Sequence, residues 1–76
     1  MTEDQRFDLV TVMHNALTMM QKGINGAEIE KWLTPAMARY GLDNLEANDI
    51  FAVNDDYEPL FRYIFGNELI DMAKCS

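Results

Sequence analysis

The amino-acid sequence predicts an all-α protein, a compact small bundle of four to five helices with its N-terminal helix at the centre. Apolar residues recur at three- and four-residue spacing through most of the chain, as in helices that bury one face. Residue types that cap helix starts precede these segments, and each of the four glycines falls at a helix end. The 76 residues contain no internal repeat or linker, so we expect a single helical domain over residues 1–76.

The first helix is predicted to begin after Thr2 and to end near Lys22. Thr2 and Gln5 have the spacing of a capping box, and the acidic residues between them suit the positive end of the helix dipole. At the other end, Gly23 can adopt the left-handed conformation that terminates a helix.

This first helix carries more apolar surface than an ordinary surface helix. Its polar residues form one narrow stripe: Asp8, Thr11, Asn15, Thr18 and Lys22. The other positions are mostly apolar: Phe7, Leu9, Val10, Val12, Met13, Ala16, Leu17, Met19 and Met20. Such a helix can show roughly a quarter of its circumference to water. We expect the rest of the chain or another molecule to cover it, as core or as an adaptable methionine-rich interface.

A second helix is predicted over residues 27–40, with Asn25 as its cap and Gly41 as its end. One apolar stripe runs along it: Ile29, Trp32, Leu33, Ala36, Met37 and Tyr40. Pro35 lies inside this segment and either kinks one helix or separates two. The apolar phase continues across Pro35, which favours one kinked helix.

The middle of the chain, residues 42–53, has the least regular pattern. Asp43 and Glu46 resemble a capping box in outline, so we expect a short helix near residues 44–48. The apolar residues that follow do not share one helical face. We therefore expect residues 50–53 to form irregular or extended chain that inserts apolar side chains into the core.

Two further helices complete the prediction. Residues 54–56 are expected to cap a helix that carries its proline, Pro59, in the first turn, where proline is tolerated. Its apolar face is Tyr57, Leu60, Phe61, Ile64 and Phe65. Gly66 and Asn67 then break the chain before a last short helix over about residues 68–74.

Composition narrows the classes of protein that remain. Cys75 is the only cysteine, so an internal disulfide is excluded and a reducing compartment is indicated. A net charge of −7 disfavours direct binding to nucleic acid or to an anionic membrane. It is compatible with binding to a basic surface of another protein, or with a charge that only keeps the protein soluble. With an acidic start and no long apolar run, the chain is expected to be cytoplasmic.

The sequence offers little for catalysis, and we expect neither an enzyme nor a bound cofactor or metal. His14 is the only histidine, and its position predicts a half-buried structural residue rather than a catalytic base. No glycine-rich phosphate loop is present. The oxygen-rich residues 43–49 lack the alternation and the glycine of a calcium-binding loop.

The candidate functional residues are a run of acids, because no basic residue lies between Arg39 and Arg62. The predicted partner-binding face consists of Asp43, Glu46, Asp49, Asp55, Asp56 and Glu58, with Tyr57 as an aromatic anchor. Carboxylates on a small rigid protein can imitate phosphates and occupy a basic groove. Helix capping is the alternative explanation, and it suits the aspartates 43, 55 and 56.

The overall profile resembles small inhibitor proteins of phages and other mobile elements, such as anti-CRISPR, anti-restriction and anti-sigma proteins. This resemblance is one of size, charge and helical pattern, so it assigns no residue. It implies a non-enzymatic inhibitor or modulator of a host machine that handles nucleic acid. The alternatives are an adaptor or accessory subunit that binds through apolar surface on the first helix, with a homodimer as one form, and an antitoxin or immunity protein.

Overall fold

A computed structural model describes the backbone of residues 2–45 and 47–75 and the side chains of residues 2–45 and 49–72. The part of the chain described contains five α-helices, one short 3₁₀ turn and no strand. In chain order these are α1 (Glu3–Gln21), α2 (Gly26–Arg39), α3 (Ala47–Val53), the 3₁₀ turn (Asp55–Tyr57), α4 (Glu58–Phe65) and α5 (Asn67–Cys75). The prediction of an all-α, compact small helical bundle is confirmed.

Helix α1 begins and ends as the sequence predicts. The Thr2 hydroxyl accepts a hydrogen bond from the Gln5 amide (3.1 Å), and the Gln5 side chain accepts one from the Thr2 amide (2.9 Å). At the C-terminal end, Gly23 has a φ of +82°, and the amides of Gly23 and Ile24 bond back to the carbonyls of Met20 and Met19. These two bonds form a Schellman motif, which satisfies carbonyls left free at the helix end.

One side of α1 forms part of the core, where it packs against α2 and α4. Its buried side chains are Leu9, Val12, Met13 and Ala16. Leu17, Met19 and Met20 are partly covered, but Phe7 and Val10 lie exposed. The prediction that α1 is covered on most sides is therefore only partly confirmed, because the short helices of this chain pack against one side of α1.

Helix α2 runs through Pro35 without interruption, which confirms one helix rather than two. Pro35 lies on the exposed side, so its ring meets solvent rather than the core. The Asn25 side chain caps the start by accepting from the Ala27 amide (2.8 Å). Gly41, with a φ of +70°, ends the helix and directs Leu42 into the core.

The start of α2 lies directly against the backbone of α4. A Cβ atom added to Gly26 would lie 2.5 Å from the carbonyl oxygen of Tyr63 and 3.3 Å from the Cα of Ile64. The Tyr63 hydroxyl donates a hydrogen bond to the Ile24 carbonyl (2.8 Å) across the same junction. Glycine is therefore required at residue 26 because the two backbones approach so closely.

The prediction for residues 44–53 is wrong in its secondary structure. A turn occupies residues 43–44, and the helix covers residues 47–53, including the segment expected to be irregular or extended. Ile50 and Phe51 are both buried, as expected, and the Phe51 ring meets Phe61 edge to face at 5.8 Å. The proposed capping partner Glu46 lies outside the described residues.

The junction of α4 and α5 is held by Arg62. Its guanidinium donates to the Glu58 carboxylate (2.9 Å), to the Asp71 carboxylate (2.9 Å) and to the Asn67 side-chain oxygen (3.2 Å). Glu58 lies one turn earlier on α4, whereas the other two acceptors belong to α5. Gly66, with a φ of +85°, makes the bend between the helices. Arg62 therefore fixes α5 relative to α4, a role the sequence analysis did not identify.

Candidate functional site

The acidic run is spread over three consecutive elements, and its described aspartates face solvent. Asp43 lies in the turn after α2, Asp49 lies on α3, and Asp55 and Asp56 lie on the 3₁₀ turn. Asp43 lines a groove between α2, α3, α4 and α5, whereas Asp56 lines a separate groove beside α1. Asp43 and Asp56 thus line different grooves, so the structure does not gather the described aspartates around one groove.

The remaining predicted carboxylates differ from this pattern. Glu58 is half-buried and forms an ion pair with Arg62, so it supports the α4–α5 junction and is not a free contact group. Glu46 lies outside the described residues. Capping within this run is provided by Asn54, whose side chain accepts from the Asp56 amide (2.9 Å), rather than by the aspartates that follow it.

Tyr57 is not a surface anchor, which corrects the sequence-based prediction. Only 2% of it is exposed, and it belongs to the core together with Leu60 and Phe61. Burial raises the pKa of the Tyr57 hydroxyl above its usual value of 10.0. A side-chain hydrogen bond with Asn54 lowers that pKa, and the negative charge of Asp56 raises it. The side chain that was expected to contact a partner instead supports the turn that carries Asp55 and Asp56.

The raised pKa of Tyr57 predicts a loss of stability at alkaline pH. Tyr57 ionises more easily in the unfolded chain than in the folded protein. The contribution of the neutral Tyr57 side chain to the free energy of unfolding is therefore complete below about pH 10 and is lost as the pH rises through the folded-state pKa. We expect a Tyr57→Phe variant to lose less stability than the parent between about pH 9 and 11. Urea denaturation at several pH values measures this. Tyr40→Phe, at an exposed tyrosine, is the control, and equal alkaline losses in Tyr57→Phe and the parent would contradict the prediction.

A strongly apolar surface groove, here called the apolar groove, has a volume of about 390 Å³. It is lined by Leu33, Thr34, Met37, Asp43, Leu45, Ile50, Phe61, Phe65, Leu69 and Ile70. Its deepest residues, among them Leu33 and Ile70, are buried, while Leu69 at its edge is 53% exposed. Sequence reasoning did not find this groove, because its lining comes from four helices and a turn that only folding brings together.

A second groove of about 440 Å³ lies between α1 and the 3₁₀ turn. It is lined by Val10, Thr11, His14, Asn15, Leu17, Asn54, Asp56 and Tyr57. His14 is exposed here, which corrects the expectation of a half-buried residue. Among the residues that the structure describes, no group of three histidine, cysteine or acidic side chains could hold a metal ion.

Comparisons with known proteins do not extend this description. No protein-family model matches the chain, and neither the curated proteins nor the solved structures contain a match. Within the described residues, every helix is too short or too polar to cross a membrane.

Proposed function

We propose that this protein is a non-enzymatic binding protein that docks on a basic surface of a protein partner and thereby inhibits or modulates its activity. One observation carries the proposal. The stretch between Arg39 and Arg62 contains no basic residue, and it exposes Asp43, Asp49, Asp55 and Asp56 to solvent. A surface of one sign accelerates association with a surface of the opposite sign and rejects partners of its own sign.

The two neighbouring aspartates, Asp55 and Asp56, are the strongest candidates for contact. Both are exposed, and the Asn54 cap and the buried Tyr57 ring hold their backbone from either side. A charge held on a rigid turn loses less conformational entropy on binding than one on a long mobile side chain. We therefore assign the main contact with the partner to Asp55 and Asp56 on the 3₁₀ turn.

The class of partner follows from the chemistry of this surface. Basic grooves that follow a phosphate backbone are common on proteins that handle nucleic acid, and carboxylates can occupy them. A chain with a net charge of −7 is itself repelled by nucleic acid. The proposed partner is accordingly a nucleic-acid-handling machine of a host cell, and the proposed action is that of a small phage or mobile-element inhibitor, of the anti-CRISPR or anti-restriction type.

A second candidate function rests on α1. Phe7 is 72% exposed, and Val10 lies one turn further along the same helix and is also exposed. An exposed aromatic residue beside an aliphatic one is a common centre of an interface. This observation favours an adaptor, an accessory subunit or an antitoxin or immunity protein that binds through the apolar surface of α1, with a homodimer as one form.

Charge reversal tests the first function. The partner is first isolated from a bacterial lysate at low and high salt and identified by mass spectrometry. We then expect the double variant Asp55→Lys with Asp56→Lys to bind it at least tenfold more weakly, with a shallower dependence on salt.

The matched control is the pair Glu28→Lys and Glu30→Lys, which changes the net charge equally at exposed positions of α2. The control should retain most of the affinity. Unchanged affinity in the Asp55, Asp56 variant, or binding that strengthens with salt, would refute an acidic docking surface. Loss of binding in Phe7→Ala would then support the second function.

A further inference from the structure

The apolar groove is a feature of the surface that the acidic run does not explain. Buried side chains from α2, α3, α4 and α5 form its floor: Leu33, Met37, Ile50, Phe61 and Ile70. Half-buried side chains, Leu45 and Phe65, form its walls. Its volume is about 390 Å³.

The edge of the groove is partly apolar as well. Leu69 on α5 lines the groove and remains 53% exposed. Removal of a leucine side chain from water is favourable, so this residue is available for an apolar contact. The floor side chain Phe61 stacks on Phe65 (ring centroids 5.6 Å apart), so this wall is firmly packed. The groove is therefore a preformed apolar surface that apolar side chains of another molecule can complete.

We propose that the apolar groove binds an amphipathic helical segment of the partner, one with apolar side chains at three- and four-residue spacing and lysine or arginine on its flanks. Binding of such helices in apolar grooves is a general mode of peptide recognition. This inference rests on the proposed function, because it names the part of a basic partner that the protein recognises.

Charge complementarity selects this occupant. Among the described side chains that line the groove, Asp43 is the one that carries a charge. Arg62, the nearest base in sequence to the groove residue Phe61, is already paired with two carboxylates. A cationic flank on the ligand therefore meets negative potential at the edge of the groove.

The same charge argues against the other occupants. A second copy of this chain would bring another net charge of −7 to the groove, and nucleic acid and anionic lipid are repelled in the same way. A neutral helix could fill the groove but would gain nothing from Asp43.

Synthetic peptides test the proposal on the full chain. The probe is a helical peptide of about fourteen residues, with leucine at positions that share one face and lysine elsewhere. In one control peptide alanine replaces each leucine, and in a second glutamine replaces each lysine. We expect the leucine–lysine peptide to bind most tightly in calorimetry and to shift the NMR signals of Leu33, Phe65 and Leu69 rather than those of Phe7 and Val10.

Variants of the protein make the test specific to the groove. We expect Leu69→Ser to weaken binding of the leucine–lysine peptide about tenfold, because one apolar contact is lost. Met72→Ser is the matched control, since Met72 lies on the same helix, is 65% exposed and is not among the lining residues. Circular dichroism of both variants checks that the fold is retained.

Three results would overturn the inference. The first is that the alanine control peptide binds as tightly as the leucine–lysine peptide, and the second is that the glutamine control peptide does so. The third is self-association of the protein in sedimentation experiments, if Leu69→Ser abolishes it.

Binding of the natural partner separates this inference from the proposed function. If Asp55→Lys with Asp56→Lys abolishes its binding while Leu69→Ser does not, the groove inference fails and the acidic docking surface stands. The reverse pattern rejects the acidic surface of the 3₁₀ turn and retains the groove.

Discussion

Replacement of Leu9 by alanine is expected to lower the free energy of unfolding by about 2–5 kcal/mol. Leu9 is fully buried on the inner side of α1, where that helix packs on α2 and α4. The change removes apolar contacts and leaves a cavity that a close-packed interior fills only partly. At about 0.05–0.15 kcal/mol per residue, a domain of 76 residues has roughly 4–11 kcal/mol of stability in total. Urea denaturation should therefore show a large fall in the midpoint.

Phe7→Ala is the matched control for that prediction. Phe7 lies two residues earlier on the same helix and is a larger apolar residue, yet it is 72% exposed. We expect the Phe7 variant to stay within about 0.5 kcal/mol of the parent, as surface substitutions usually do. Comparable losses at the two positions would show that another molecule or a second copy covers Phe7 in solution.

Gly26→Ala is expected to destabilise the protein by about 1–3 kcal/mol, even though alanine is the better helix former. The added methyl group would lie 2.5 Å from the Tyr63 carbonyl oxygen, and because the obstacle is backbone, no side chain can turn away to relieve the clash. The first turn of α2 must then move from α4, which also strains the hydrogen bond between Tyr63 and Ile24. Thermal or urea denaturation measures the loss.

Ala27→Gly, at the next residue, separates packing from helix propensity. Ala27 is exposed in the same first turn, so its replacement should cost no more than about 1 kcal/mol, from backbone entropy alone. If Gly26→Ala proves as stable as the parent, the close approach of α2 and α4 is not maintained in solution.

The helix ends were predictable from the sequence because their signals are local. Thr2 with Gln5, Asn25, and the glycines at residues 23, 41 and 66 act through hydrogen bonds and backbone angles within a few residues of each helix end. The long apolar stripes of α1, α2 and α4 gave the fold class for the same reason. Their spacing is a property of the helix itself and not of its neighbours.

Helix α3 could not be predicted in this way. Among its described side chains, residues 49–53, the buried ones are Ile50 and Phe51, which are adjacent in sequence and form no repeating pattern. A helix this short has little stability of its own, because the cost of nucleation is recovered over too few hydrogen bonds. Its conformation depends on packing, in particular on the contact between Phe51 and Phe61.

The amino-acid sequence by itself determined the helical class, most of the helix ends and the acidic character of the chain segment between Arg39 and Arg62. Only the tertiary structure decided that Phe7 faces water while Tyr57 is buried, and that separate helices enclose an apolar groove. The physical reason is that periodicity shows which side chains share one side of a helix. Which of those sides another helix covers depends on how the helices pack together, and that arrangement involves residues far apart in the chain.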